Sequence, residues 1–369
     1  MMIKGYYIHC GGRIMPGISK KIDMQMEEFS KHFDIIEMPV RAASRTLPER
    51  IWGLLPFVNN AWNYSEILEQ LRDPQFVYMR RTVADRAQLR FYKEIKRRYP
   101  SCKIIIEIFT YPYDRDEFLR KDAWPFWIKD VIFRNRWKKY VDRIVTYTKD
   151  AKIFGIPTIR TQNGIQINNI TIRNPGTEND GIVHMLAVAY MQKQHGYERV
   201  IRGVANYYQA GGTRNIRLHM VGEGPEVPKY KKLVEHNNLQ EHVIFYGKKL
   251  GKELDMQYDE CPVALGVFGG YKNHLEEVSA LKTREYLAKG TIIISGIRED
   301  ILEKYPMPFY LRFPNDPSPI DIEKVIEFYD NIFRNQQESE AVSKIRDYAV
   351  KYVGMDQALH GIVQYIAGK

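Results

Sequence analysis

The chain has little cysteine, no long apolar run and no repetition, and each absence excludes something. Its three cysteines, Cys10, Cys102 and Cys261, are odd in number and far apart. They form neither a disulfide framework nor a metal-binding spacing, and they suit a reducing cytosol. No stretch approaches the roughly eighteen uninterrupted apolar residues of a membrane span. Residues 1–10 read as a first strand rather than a signal peptide. Acidic residues are scarce at one end. Residues 1–160 hold 30 Lys+Arg against 19 Asp+Glu, a balance of +11, whereas the remainder has 25 against 26, or −1. The basic half suits nucleic acid or an anionic membrane surface, and a plainly solubilising surface stays open.

What is present is globular. Hydrophobic residues make up 44% and charged residues 27%, and 369 residues exceed one ordinary core, so two domains are expected. Strand-like runs at 4–10, 76–79, 103–108, 142–148 and 158–161 alternate with helical patterns at 17–32 and 84–98. Residues 162–181, with Gln162-Asn163-Gly164 and Asn174-Pro-Gly-Thr, carry turn chemistry and read as the linker. Alternation then resumes, with strands at 184–189, 216–221, 243–246, 264–267 and 291–295. Helices are expected at 198–208, 227–236, 320–333 and 341–353. This order predicts parallel sheets covered on both faces, with ligands at the carboxyl ends of the strands.

One segment concentrates chemistry: Glu277-Val-Ser-Ala-Leu281-Lys282-Thr-Arg284-Glu285-Tyr-Leu-Ala-Lys-Gly290. From Glu285 it has helical character as far as Gly290, a natural stop, and before Glu285 it does not. A loop running into a helix start offers backbone N–H groups to an anion, with a carboxylate on either side for hydroxyls. A nucleotide sugar, with phosphates between two sugars, fits that frame. Taken singly, the glutamates would be solvated surface charges. Three glycine-rich strand ends accompany them, at Val221-Gly-Glu-Gly-Pro225, at Gly247 and from Gly266 to Gly270.

Other features are more equivocal. Asp114-Arg115-Asp116 has metal-binding spacing but lies in an acidic loop with Glu117, so it is read as solvated and no metal is assigned. Glu107 ends a buried strand, facing either a ligand or the next loop. Tyr111 and Tyr113 either line a pocket or cover the sheet edge. Trp124, Phe126, Trp127 and Phe133 lie among basic residues and form a membrane-interface candidate. Beyond Trp137, the residues Tyr140, Val141 and Ile144 continue at helical spacing.

In chain order, six motifs resemble those of family-four retaining glycosyltransferases of the GT-B class. They are Gly17-Ile18-Ser19-Lys20-Lys21, Asp142-Arg-Ile-Val-Thr146, Asn163-Gly164-Ile165, Val221-Gly-Glu-Gly-Pro225, Val243-x-Phe245-x-Gly247, and Glu277 to Glu285 with Ala288-x-Gly290. Glu107-Ile-Phe-Thr110-Tyr111-Pro112-Tyr113 and Leu281-Lys-Thr-Arg-Glu-Tyr286 resemble the branch that builds capsular and other bacterial surface polysaccharides. The resemblance implies an α/β GT-B fold of two Rossmann-like doubly wound domains facing across a cleft. An acceptor domain would span 1–165 and a donor domain 166–345, with a C-terminal helix at 346–369 crossing back. Glu277, Lys282 and Glu285 would be catalytic, with Glu285 on the donor ribose and Glu277 on the transferred sugar. Gly17, Ile18, Gly222, Gly247, Ala280 and Leu281 would contact the donor.

The family's Arg and Lys on the diphosphate are missing after the first strand of the second domain, where His195 stands at the Lys position. Lys282 is the first choice of replacement cation, followed by Arg284, Arg199 and a protonated His195. Glu107, Thr110, Tyr111 and Tyr113 would meet the acceptor. The resemblance implies no cofactor and no metal. Its partners would be a nucleotide sugar, a lipid-linked or saccharide acceptor and an anionic membrane surface on the cytoplasmic side, and no nucleic acid. A nucleotide-sugar epimerase, an inactive membrane scaffold and, more distantly, a nucleic-acid binder are the competing readings.

Overall fold

The computed structural model describes residues 2–11, 16–42, 46–55, 57–58, 62–114, 118, 124–175, 180–334 and 336–369. It divides into two units, residues 1–161 with 358–369, and residues 162–357. The change of unit thus falls at 161 rather than 165. Residues 346–357, expected with the first domain, belong to the second.

The first unit runs β1 (Lys4–Cys10), α1 (Pro16–Ser30), β2 (Asp34–Val40), α2 (Leu47–Trp52), α3 (Tyr64–Gln70), β3 (Phe76–Arg80), α4 (Arg86–Arg98), β4 (Lys103–Ile108), α5 (Trp124–Arg134), β5 (Arg143–Thr146), β6 (Lys152–Ile153) and β7 (Ile156–Arg160). Its sheet has the order β2-β1-β3-β4-β5-β7-β6, parallel except for β6 against β7. The central strands are apolar on both sides because helices cover both faces, and all of Phe76–Arg80 is buried. α4 shows how sequence sets an element. Asp85 caps it through Gln88 N at 2.8 Å, Phe91, Tyr92 and Ile95 are buried, and Lys96, Arg97 and Arg98 close its last turn. Val141 and Ile144 do not continue a helix. A short helical turn ends at Lys139, and Asp142 N then donates to Ile104 O at 2.9 Å, which begins β5.

The second unit contains β8 (Val183–Val188), α6 (Glu198–Gln209), β9 (Ile216–Val221), α7 (Val227–His236), β10 (Val243–Gly247), α8 (Lys252–Glu260), β11 (Val263–Leu265), β12 (Glu277–Val278), α9 (Leu281–Lys289), β13 (Ile292–Ser295), β14 (Arg298–Glu299), α10 (Asp300–Lys304), β15 (Tyr310–Arg312), α11 (Ile322–Phe333) and α12 (Glu338–Tyr352). The last helix, α13 (Met355–Ala367), starts here and enters the first unit at residue 358. The sheet is wholly parallel in the order β10-β9-β8-β11-β13-β15. The chain begins at β8 in the middle and winds outward in both directions, so the crevice of a doubly wound sheet lies past the ends of β8 and β11. Residues expected in the linker take part in this core: Ile165 bridges Gly354 and Ile167 is buried. Among the described residues no helix is long and apolar enough to cross a membrane.

Backbone bonds tie the carboxyl-edge loops together. Ala189 N donates to Val221 O, Met191 N to Glu223 O, Gly222 N to Gly247 O, and Phe268 N to His195 O, at 2.6–3.1 Å. Gly222 makes this possible, for its φ is +127° and a Cβ there would lie 1.9 Å from Ala189 O. We expect Gly222→Ala to cost about 2–4 kcal/mol, from strain and overpacking together. Gly181→Ala, at φ +76° with open space around it, should cost about 1 kcal/mol. Chemical denaturation of the two variants checks the contrast.

Candidate active site

α9 begins at Leu281, four residues before the start expected from sequence, so Glu285 lies inside the helix. The N-cap is Ala280, which carries no side-chain acceptor. The first-turn N–H groups therefore have no capping side chain, which suits an anion. Gly290 ends the helix in the left-handed conformation at φ +84°. Glu277 lies on β12, paired in register with Arg298 of β14. Both glutamates are half-buried.

Lys282 points from the first turn of α9 to the sheet edge. Its Nζ donates to Gly266 O at 2.8 Å and to Tyr197 OH at 2.9 Å. Burial pushes this ammonium down to about 7. Nearby, Glu299 is wholly buried and neither carboxylate oxygen has a hydrogen-bond partner. Burial pushes its carboxyl up, and Arg284 opposes the shift. Glu299 was not singled out in the sequence, where Arg298-Glu299-Asp300 looks like ordinary surface charge.

The other proposed cations fare differently. Arg199 is buried, and its guanidinium donates to Ser318 O at 2.6 Å, Phe268 O at 2.9 Å, Pro314 O at 2.9 Å and Asp316 Oδ1 at 3.3 Å. Arg284 is likewise buried, bonding Asn163 O at 3.1 Å, Ala280 O at 3.3 Å and Asp300. Both arginines hold loops in place, with their guanidinium groups bonded to protein acceptors. His195 Nδ1 accepts from Gln192 N at 2.9 Å, which fixes the neutral tautomer with Nε2 as donor. Burial, helped by Lys282, drives its pKa down to about 3, so it is a neutral donor and not a protonated one. Lys282 remains, with one ammonium proton beyond its two bonds. Gly222 and Gly247 lie on the same edge, with φ +127° and +66°.

In the first unit several expectations are corrected. Gly17 and Ile18 lie in the first turn of α1, not on a loop, and residues 12–15 before them lie outside the described residues. Glu107 is fully buried and bound by Tyr147 OH at 2.7 Å, Gln25 Nε2 at 3.3 Å, Lys21 Nζ at 3.4 Å and Arg80 Nη1 at 3.5 Å. Burial would raise its pKa, but Lys21 and Arg80 hold it below the usual carboxylate range. It anchors a core network and has no surface exposed to an acceptor. Tyr113 is also core, since its OH donates to Asp130 Oδ2 at 2.7 Å and Arg81 stacks on its ring at 3.5 Å. Thr110 is exposed and Tyr111 half-buried, against Tyr113 and Phe154. Asp114 pairs with Arg134 at 2.6 Å and with Trp127, while Arg115, Asp116 and Glu117 lie outside the described residues.

Phe133 is core, at 1% exposure, and drops out of the membrane candidate. Trp124 and Phe126 are exposed and Trp127 is half-buried. Sequence reasoning missed their neighbours. Lys129 Nζ donates to Gly53 O at 2.6 Å, bringing α5 beside the end of α2, where Ile51, Trp52, Leu54, Leu55 and Phe57 are exposed. Trp52 and Phe57 are 64% and 63% exposed.

Comparison with known proteins follows the same outline. Residues 168–300 match the family model described as glycosyl transferases group 1. A glycosyltransferase of Rickettsia africae ESF-5 superposes with a TM-score of 0.62 at 11% identity, covering 99% of each chain. Anabaena Alr3699/HepE in complex with UDP gives 0.62 at 9% identity over 100% of each chain. The apo lipopolysaccharide outer core galactosyltransferase WaaB gives 0.61 at 12% identity over 99% of each chain. The fold is therefore GT-B. No curated protein sequence matches the chain.

A structural role for Arg199 has a measurable consequence. Arg199→Met leaves three carbonyl groups short of a donor, of which that of Phe268 is buried, and we expect a loss of about 2 kcal/mol or more in stability. Thermal unfolding reads the loss. If Arg199 served a ligand instead, the variant would melt like the parent.

Proposed function

We propose that the protein is a nucleotide-sugar-dependent, retaining glycosyltransferase with the donor held at the carboxyl edge of the second unit. The observation that carries this reading is the convergence on that edge of the uncapped α9 N-terminus, Lys282 and neutral His195 with glycine-built backbone loops. The family match over residues 168–300 supports it, as do related structures holding UDP and UDP-glucose. The leaving diphosphate develops charge as the glycosidic bond breaks, and fixed N–H dipoles with a buried ammonium stabilise that charge. Glu285 holds the donor ribose and Glu277 the hydroxyls of the transferred sugar. No protein nucleophile and no metal are assigned. The acceptor is a lipid-linked saccharide of surface polysaccharide assembly. The apolar surface at Trp52, Phe57, Trp124 and Phe126, on the basic part of the chain, supports docking to an anionic membrane face.

Calorimetry with UDP, GDP and ADP tests the donor site. One of them should bind, and Glu285→Ala should weaken it about 10- to 100-fold through lost ribose hydrogen bonds. Binding an anion restores the proton to Lys282, so binding takes up a proton and affinity falls as pH rises above about 7. Lys282→Met should bind more weakly and lose that slope. Equal binding by the Glu285→Ala variant, or a flat pH profile in the parent, would contradict the assignment. For the surface, vesicles with anionic phospholipid should retain the protein and neutral vesicles should not. Trp52→Glu with Phe57→Glu should reduce retention about tenfold or more.

A further inference from the structure

Some side chains that sugar transfer does not use converge elsewhere on the second unit. His184 is second in β8, His219 is fourth in β9, and Cys261 directly follows α8. In the β8–β9 register His184 faces Arg217 and Leu186 faces His219, so both histidines project from one sheet face. His184 Nδ1 lies 2.8 Å from His219 Nε2. Glu260 Oε1, at the end of α8, is 3.5 Å from the first nitrogen and 3.8 Å from the second. Cys261 Sγ joins the two histidines, with their ligand atoms all within 4.8 Å of one another.

The outer ring nitrogens are also held. His184 Nε2 meets Asp180 Oδ2 at 3.1 Å, and His219 Nδ1 meets Tyr246 OH at 3.0 Å. The Tyr246 ring stacks on His219 with an interplanar angle of 3°. Each imidazole thus aims one nitrogen at a shared point and anchors the other, the pattern of metal-bound histidines. A hydrogen bond between the two rings explains their approach. It does not explain why a thiol and a carboxylate converge on the same two nitrogens. Bonds of about 2.0–2.3 Å in a tetrahedral zinc site put ligand atoms about 3.3–3.7 Å apart, and the observed spacings straddle that range. His219 and Cys261 are fully buried, while the Glu260 and Asp180 side chains are 41% and 52% exposed and form a rim open to solvent.

We propose that His184, His219, Cys261 and Glu260 form a site for a tetrahedral divalent cation of the zinc class, which ties α8 to β8 and β9. The donor set of two imidazoles, a thiolate and a carboxylate suits zinc and disfavours magnesium or calcium. On binding, the Cys261 thiol loses its proton to water and the metal–sulfur bond replaces it.

The test uses the full chain, stripped with a chelator and titrated with Co2+. We expect one equivalent to bind, with a thiolate-to-cobalt charge-transfer band in the near ultraviolet and intense tetrahedral visible bands, both erased by Zn2+. Cys261→Ala should lose the charge-transfer band. Asp180→Asn, which keeps the acceptor for Ile182 N but removes the charge beside the outer nitrogen of His184, should weaken binding about tenfold. Zn2+ in excess should raise the melting temperature of the parent by about 5 °C. The parent titration depends on no variant folding. Absence of the band in the parent, or its survival in a folded Cys261→Ala, would overturn the site. Nucleotide binding enters none of these readings, so the outcome is independent of the transferase proposal.

Discussion

Everything at the carboxyl edge of the second unit depends on backbone meeting backbone. Three loops, after β8, β9 and β10, are joined by direct N–H···O=C bonds, and the β11 loop is bonded back to the turn at His195. Side chains would keep such loops apart, so glycine stands where they touch. A Cβ on Gly196 would lie 2.4 Å from Gly269 N, as one on Gly222 would meet Ala189 O. From below, Arg199 gathers carbonyls of residues 268, 314 and 318. The polar groups that face outward are fixed by this layer. His195 takes its tautomer from Gln192 N, and Lys282 takes its direction from Gly266 O.

The two units hold charge in opposite ways. Glu107 in the first is surrounded by Lys21, Arg80, Tyr147 and Gln25 and remains ionised although fully buried. Its Oε1 takes both hydrogen bonds, while Oε2 has the Arg80 guanidinium at 3.5 Å and no hydrogen bond, and the network as a whole fixes a core. In the second unit neither oxygen of the Glu299 carboxylate has a hydrogen-bond partner, and Lys282 has a weakened hold on its proton. Buried ionisable groups left incompletely satisfied are costly in a resting fold.

The sequence disclosed the alternation of strands and helices because period and punctuation are local: Gly290 stops α9, and Asp85 starts α4. It disclosed less about which charges are free. Arg199 and Arg284 have the composition of ligand-binding residues, yet carbonyls distant in sequence occupy them. Tyr113 and Phe133 looked like surface aromatics until Asp130, Arg81 and the sheet enclosed them. The early start of α9 was hidden because Val278 and Ser279 argue against a helix, while the true N-terminus at Leu281 lacks a capping side chain. His184, His219 and Cys261 share no motif spacing. Only the β8–β9 register and the end of α8 bring them together.

That last grouping bears on the edge described first. β11 is a three-residue strand at the centre of the sheet. Cys261 stands just before it and Gly266, whose carbonyl aims Lys282, directly follows it. At about 3.3 Å per residue, roughly 16 Å separates the two positions. So short a strand has few ladder bonds of its own, and its placement depends on what holds its ends. Fixing Cys261 against β8 and β9 therefore fixes the height of Gly266, and with it the direction of the Lys282 ammonium. The proposed metal staple at one end of the strand and the proposed anion site at the other would then be parts of one mechanical element, although they take different ligands.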